Sequence, residues 1–529
     1  MRISTSQMFT SSTTGYSNGY SSLTKTMEQI SSGVRIQTPA DDPVGSARLL
    51  QLEQQKTLLT QYSGNMTTAT NALTNQESVL SNITNVLQNA RMLAVQAGNG
   101  SLTDDDRSAI SDQLGDIQDQ LFSLMNSKDA SGNYIFAGSS GTTQPFVKNP
   151  DGSYSYKGDQ STLSVQVADT LNLAISDNGW STFESAKNAD LTTSSLTSNP
   201  NVDGTQRVFL SQGTVTDESA FNSSYRSGAP YTLNVISSTQ FKILDGSGND
   251  VTSEVSGNGT YETTTGDAVT VKFRGAELAL DVSLKSTDDS ADANSLVSGY
   301  SFSFGVKPET FTVTRSATNT STAQITGGVV SNETAYSTTF PSNGVLLKFT
   351  SATDYQVYAL PTNASSSAMS SGTLSGSYPA TLTVNGAQFS VSSAAASGDE
   401  FTLGGSSNQT QNILDTIKNL RTALDTSTTN DPQAQLNIRS AVASAITNLD
   451  NGMNQVYKTT SSLGARQQTI TLLTSENESL SLSNTTNQSS IRDTDMAEAT
   501  SKLTLQQTML EAAQAAFAKV SQLSLFDKI

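Results

Sequence analysis

Between residues 59 and 97 the chain repeats every seven positions. Leu59, Met66, Leu73, Leu80, Leu87 and Ala94 hold one heptad position, and Tyr62, Ala69, Gln76, Ile83, Ala90 and Ala97 hold a second. Such a run specifies one amphipathic helix with a single apolar seam. At about 1.5 Å per residue it extends roughly 60 Å, so the fold must be built around a rod that other helices of the chain cover. Those helices are legible on both sides. Upstream, Tyr16, Tyr20, Leu23, Met27, Ile30 and Val34 form an amphipathic stripe, with Gly33 as its stop and Pro39 beyond. Next along the chain, Thr103 and Asp106 have capping-box spacing ahead of Ile110, Leu114, Ile117, Leu121 and Leu124. Near the other end, Ile413, Ile417, Leu420 and Leu424 mark a helix. A longer one starts at Asp431-Pro432 and carries Val442, Ile446, Leu449, Met453, Val456 and Leu463. Asp495 and Glu498 then open a last heptad run of Met496, Ala499, Leu503, Leu510, Ala513, Phe517 and Val520.

The period changes from about 141 to 405. Two-residue alternation in YTLNV, TVKF, ELALDV, FTVT and TLTVNGAQFSV is broken by Gly, Asn and Asp turns, and Asn385-Gly386 is a hairpin signal. The short turns and the absence of helical crossovers predict antiparallel sheets. The middle also repeats. The stretch from Val215 matches that from Val330, FRGAELALDVS from Phe273 parallels TVNGAQFSVSS from Thr383, and PETFTV from Pro308 parallels GDEFTL from Gly398. The fold class is therefore α+β and multidomain: terminal helices paired in a coiled-coil-like bundle, with antiparallel all-β modules inserted between them. The expected division is 1–40 plus 491–529, 41–140 plus 406–490, a β module of 141–214 plus 326–405, and a repeated module of 215–325, with the order of nesting open. The span 178–213 is too irregular to place.

The chemistry open to this chain is narrow. It has no Cys and no His, which removes thiolate and imidazole metal sites, their nucleophiles and the usual serine triads. A net charge of -18 repels nucleic acid and anionic lipid, and neither is expected as a partner. No cleavable leader and no run of 18 apolar residues is visible. Asp104, Asp105 and Asp106 could attract a divalent cation, but a helix begins directly after them and capping explains them better. Asp245-Gly-Ser-Gly-Asn-Asp250 suggests a calcium loop, yet the twelfth position is Ser256 where a bidentate Glu is needed; a hairpin turn is preferred. Phosphate-loop, nucleophile-elbow and zinc patterns are absent. No catalytic residue, cofactor or metal is expected.

An intramolecular bundle accounts for the seam of 59–97. The extreme helices are separated from it by polar or Pro-containing connectors, so they can pair with one another or with neighbouring copies, and each left alone exposes its stripe. Thr38 to Pro43 has the look of a turn and helix start, with Asp42 before Pro43 in the first helical position.

Several of these segments resemble the flagellin superfamily. ISSGVRIQTPADDPVGSARLLQLE (30–53), GNYIFAGS (132–139), QPFVKNPDGSYSYKGD (144–159), GDEF (398–401) and IRDTDMAEATSKLTLQQTMLEAAQAAFAKVSQLSLF (491–526) carry the resemblance. Its signature here is Arg35-Ile36, Pro39 and Asp41-Asp42-Pro43. Filament subunits usually show an ERLSSGLRINSAKDDAAG-like stretch, so MEQISSGVRIQTPADDP points to the hook-filament junction branch. The middle is larger by one β module than in a single-module member. The resemblance implies a radial stack, with paired terminal helices innermost, a helical rod next and β domains outward. It implies a structural, non-catalytic subunit of the bacterial flagellum that adapts the hook to the filament. Its partners would be the first hook-associated protein, flagellin, other copies of itself in a ring, and a flagellar export chaperone. It would leave the cell through the flagellar type III system without a cleaved signal peptide. The assembly interface is expected to pack Leu503, Leu510, Phe517 and Val520 against Tyr20, Leu23, Met27 and Ile30, in ends that stay disordered in the monomer. A flagellin-like filament subunit is one alternative. A carbohydrate-active or adhesive β module on a flagellar base is another.

Overall fold

The computed structural model describes residues 5–526 apart from 262–267, 317, 342–343, 363–365, 407–409 and 430. Among the described residues, six helices have twelve residues or more: α1 (Thr5–Ser32), α2 (Pro43–Ala97), α3 (Asp104–Met125), α4 (Ile413–Leu424), α5 (Pro432–Arg492) and α6 (Met496–Phe526). The strands between α3 and α4 pair antiparallel. Two compact units result. One comprises 1–71, 165–173 and 465–529, the other 72–164 and 174–464; α2 and α5 run through both.

In the first unit, α2 lies against the C-terminal part of α5. The Asn477 and Asn484 amides donate to the Leu59 and Leu52 carbonyls, each at 3.0 Å. In the second, the heptad seam of α2 is closed off completely, with Leu73, Leu80, Ile83, Leu87, Ala90 and Ala94 all at 0% exposure. Gln76 is the polar interruption of that seam. Its amide is buried and exchanges two 3.2 Å hydrogen bonds with the Asp177 backbone, which satisfies both groups and holds the crossing loop in register. The capping box at the start of α3 forms as the spacing predicts. The Thr103 hydroxyl accepts from Asp106 N at 3.2 Å, and the Asp106 carboxylate accepts from Thr103 N at 3.0 Å. Asp104 is spent on Arg107 and on the Ser427 hydroxyl, which donates to it at 2.6 Å. It ties α3 to the loop ahead of α5.

The β modules are consecutive, with bounds that differ from the expected 141–214 plus 326–405 and 215–325. One hydrophobic core draws its residues from 191 to 304, the next from 323 to 403. In the first module, one sheet orders Thr192–Ser198, Ser301–Val306, Tyr231–Ser237 and Gln240–Leu244. Its second sheet is built on Ala276–Val282, which pairs with Val269–Phe273, Val208–Leu210 and Thr214–Val215. The second module orders Thr310–Arg315, Glu400–Ser406, Val345–Phe349, Asp354–Ala359 and Ser370–Thr373 in one sheet, and Ile325–Val330, Ala387–Val391 and Ala380–Val384 in the other. PETFTV and GDEFTL are therefore hydrogen-bonded neighbours that open and close one module, not copies of one strand. Residues 141–190 belong with the helices: Tyr154 N donates to Asp415 at the start of α4 at 3.0 Å, and Asn126, which follows α3, clamps both backbone groups of Phe146.

Candidate assembly interface

α1 and α6 pair along their lengths. Among the described side chains of α1, Ser12, Gly19, Leu23, Thr26, Gln29 and Ile30 are buried or half-buried, and all but Gln29 fall in a seam with the same seven-residue period as the apolar stripe but partly built from small residues. Gly19 permits the closest approach. A Cβ placed there would stand 3.6 Å from Leu510 Cδ1. On α6 the matching positions are Ala499, Leu503, Gln506 and Leu510. The predicted interface is thus divided: Leu23, Ile30, Leu503 and Leu510 lie on the seam, whereas Tyr20 and Met27 stand 56% and 52% exposed. Phe517 meets Phe9 with ring centroids 5.2 Å apart, with Phe9 still 56% and Phe517 37% exposed. The side chain of Val520 lies outside the described residues. Hydrophobic spacing found Ala499 but overlooked Gly19, Thr26 and Gln506, because small or amide side chains on a seam carry no hydropathy signal. Their heptad phase with Leu23 and Leu510 was the available one.

Two helices cannot cover all the apolar surface that these sequences carry. Tyr16, Tyr20 and Met27 on α1, and Met496, Leu505 and Met509 on α6, are between 40% and 63% exposed. Each full burial of such a side chain is worth about 1.5–3 kcal/mol before ordering costs, and the pair alone leaves that burial incomplete.

The signature residues build the joint beneath this pair. Gly33, with φ +70°, ends α1 in a conformation open to glycine. The chain then zips to the α5–α6 link. Arg35 N donates to Arg492 O at 2.6 Å, Thr494 N donates to Gly33 O at 2.9 Å, and the Arg35 guanidinium caps the α5 C-terminus through Ile491 O at 2.8 Å. Pro39 sits in a turn closed by Asp41 N on Thr38 O at 3.0 Å. The Asp41 carboxylate accepts from the backbone of Gln37 and Thr38 and meets Lys25 Nζ at 2.6 Å. The Lys25 ammonium, with those backbone donors, holds its carboxyl well below the usual carboxylate range. Asp42 caps α2 by accepting from Gly45 N at 2.9 Å, with Pro43 as the first residue of that helix. A Cβ on Gly45 would fall 2.5 Å from Asp42 Oδ2, so any larger residue there has to displace the capping carboxylate.

Elsewhere, Glu184 and Asp415 are two carboxyls pushed up, to about 7 and about 6, chiefly by burial. The Asn412 amide donates to Glu184 at 2.9 Å. Neither residue borders the two larger grooves, which lie along 17–41 and 72–176. Among the described residues, no group of three or more acidic side chains is gathered to hold a metal ion, and no helix is long and apolar enough to cross a membrane.

Comparison with known proteins matches residues 3–141 to the bacterial flagellin N-terminal helical region and residues 446–527 to the bacterial flagellin C-terminal helical region. Flagellar hook-associated protein 3 of Salmonella typhimurium is 33% identical over 185 residues, and that of Escherichia coli 35% identical over 185. Each alignment takes in 35% of this chain and 57% of the relative, so the chain spans little more than half the length of the curated relatives it matches. The crystal structure of flagellar hook associated protein-3 from Legionella pneumophila overlaps 82% of this chain and 96% of its own, at 18% identity and a TM-score of 0.49. Both ends of this chain thus match flagellin helical regions, which supports its resemblance to the flagellin superfamily.

Proposed function

We propose that this chain is a structural subunit of the bacterial flagellum at the hook-filament junction. Its copies close a ring that receives the first hook-associated protein on one face and the first flagellins on the other. The observation that carries this role is the apolar surface left open on the α1–α6 pair, with Tyr20, Met27, Leu505 and Met509 facing solvent. Support for the junction over the filament comes from the Arg35 to Pro43 signature and from the relatives named flagellar hook-associated protein 3. The terminal pair gains its full order on assembly, and before export a chaperone covers the same α6 stripe. The subunit is non-catalytic.

Electron microscopy tests the role directly. The purified chain, alone under conditions that salt out filaments, is expected to stay unpolymerised. Added to hook fragments bearing the first hook-associated protein, it forms a short layer that flagellin then extends. Long filaments from the chain alone would make it a filament subunit and overturn the junction role. Leu510→Asp places a charge on the seam and is expected to abolish the layer while the β modules stay folded by circular dichroism.

A further inference from the structure

In an Asn-Gly pair the glycine nitrogen can attack the asparagine side-chain amide, because glycine puts no side chain beside the nucleophile. The chain has seven such pairs, and the fold treats them differently. Asn18 and Asn451 lie within α1 and α5, whose backbone N–H groups are committed to the helix. Gly179 N is spent on Phe136 O at 2.8 Å, and Asn178 before it is buried. The Asn385 amide donates to Thr339 O at 2.7 Å, which holds the nitrogen that would have to leave. Asn343 lies outside the described residues.

Asn99, in the turn between α2 and α3, is arranged the other way. Its Oδ1 accepts from Ser101 N at 3.2 Å and from Ser101 Oγ at 2.9 Å, so two donors already stand where negative charge gathers when the side-chain carbonyl is attacked. Asn99 and Gly100 are exposed. Among the described residues Gly100 N and Asn99 Nδ2 meet no acceptor, which leaves nucleophile and leaving group free. Asn258 is also exposed, but its Oδ1 accepts no hydrogen bond from the described residues.

The surroundings of Asn99 lack an anion. A cavity of about 70 Å³ beside the turn is lined by Asn99, Gly100, Arg107 and Arg439 among others, and none of the described residues that border it is acidic. Arg107 pairs with Asp104. Arg439 of α5 is exposed and has no ion-pair or hydrogen-bond partner among the described residues. A Cβ on Gly100 would stand 3.4 Å from Arg439 Nη2, so this free guanidinium rests against the residue that follows Asn99.

We propose that Asn99 is a self-modification site: the folded turn converts it to aspartate or isoaspartate, and the carboxylate formed pairs with Arg439. Gly100 N gives its proton to hydroxide and bonds to Asn99 Cγ, while Ser101 N–H and Oγ–H hold the oxyanion on Oδ1. Collapse breaks the Cγ–Nδ2 bond, and Nδ2 takes a proton from water and leaves as ammonia, restoring the hydroxide. Water then opens the cyclic imide at either carbonyl. The net change is amide plus water to carboxylate plus ammonium. The C-terminal end of α2 disfavours an anion, and the guanidinium offsets this with a charge-assisted hydrogen bond that draws the α2–α3 turn onto α5.

The test is to age the full chain at pH 8, digest it, and follow each Asn-Gly peptide by mass spectrometry with fragmentation that separates aspartate from isoaspartate. Conversion at Asn99 is expected to run several-fold ahead of Asn258, and in urea, which removes the turn, the two rates converge. Ser101→Ala slows Asn99 several-fold, whereas Ser101→Thr keeps the hydroxyl and the parent rate; position 101 is exposed, so both are expected to melt with the parent. A folded chain in which Asn99 lags Asn258, a lead that persists in urea, or a rate that Ser101→Ala leaves unchanged would overturn the site. Arg439→Gln is expected to lower the melting temperature of the Asn99→Asp chain more than that of the parent, and equal losses would overturn the pairing.

Discussion

The first β module is hydrogen-bonded to α5, whereas the second meets the first, its Glu333–Thr339 lying against Arg226–Gly228, although they share one plan. Both close a two-sheet core over aromatic rings: Tyr231 and Phe273 meet edge-on at 4.9 Å in the first, Phe311 and Phe389 at 5.0 Å in the second. The difference lies outside the cores. The first module is tied to α5 by Thr214, Ala189 and Asn188, and Asn448 donates to the Asn188 amide oxygen at 2.9 Å. It also buries the Arg207 guanidinium between Asp203 and Asp288. A duplicated module inherits its core whole, whereas its surface acquires a role only where the fold places something against it.

The largest effect that separates the two is expected from their cores. Phe304→Ala should cost the first module about 3–5 kcal/mol and Leu403→Ala the second about 2–5 kcal/mol. Hydrogen exchange resolved by peptide should confine each loss to its own half of 191–406, and exchange that rises equally in both modules from either variant would mean one cooperative unit. Next comes the anchor. Asn448→Ala leaves the buried Ala189 N–H unpaired, a cost of about 1–3 kcal/mol; the first module's exchange should rise while the second's does not move.

The segment leading into that anchor adds a pH dependence. Burial, then the charge of Asp415, lifts Glu184 to about 7 from an ordinary value near 4.5. Between those values the folded chain holds more protons than the unfolded one, so stability falls as pH rises through the window and levels off above it. Glu184→Gln should remove a decline on the order of 3 kcal/mol. Thermal melts at pH 5 and pH 8 with parallel shifts in parent and variant would refute the assignment. The smallest effect should come from one swap in each module: Thr214→Val loses one hydrogen bond, about 0.5–1.5 kcal/mol, and Val329→Thr at an exposed site stays within about 0.5 kcal/mol, both measurable by chemical denaturation.

Much of this molecule was legible in its sequence, and the parts that were not share a cause. The heptad seam of α2, the capping box at Thr103 and the Asn385-Gly386 turn depend on residues a few positions apart, so spacing alone identifies them. The bounds of the β modules were not legible, because PETFTV and GDEFTL are alike in composition as partner strands of one sheet, and likeness of that kind does not tell a neighbour from a copy. The terminal interface was half legible: Leu23, Ile30, Leu503 and Leu510 were found by hydropathy, while Gly19 and Thr26 contribute by being small.

The periodicities determined, without reference to anything else, that this chain has helical ends, a β middle and a repeat within it, because local torsional preference and apolar spacing act over one or two turns. Tertiary structure alone decided which of the two modules α5 covers. That choice depends on which surfaces the connections bring within hydrogen-bond reach, at separations such as that from Thr214 to Ser444, where the sequence between holds no local signal.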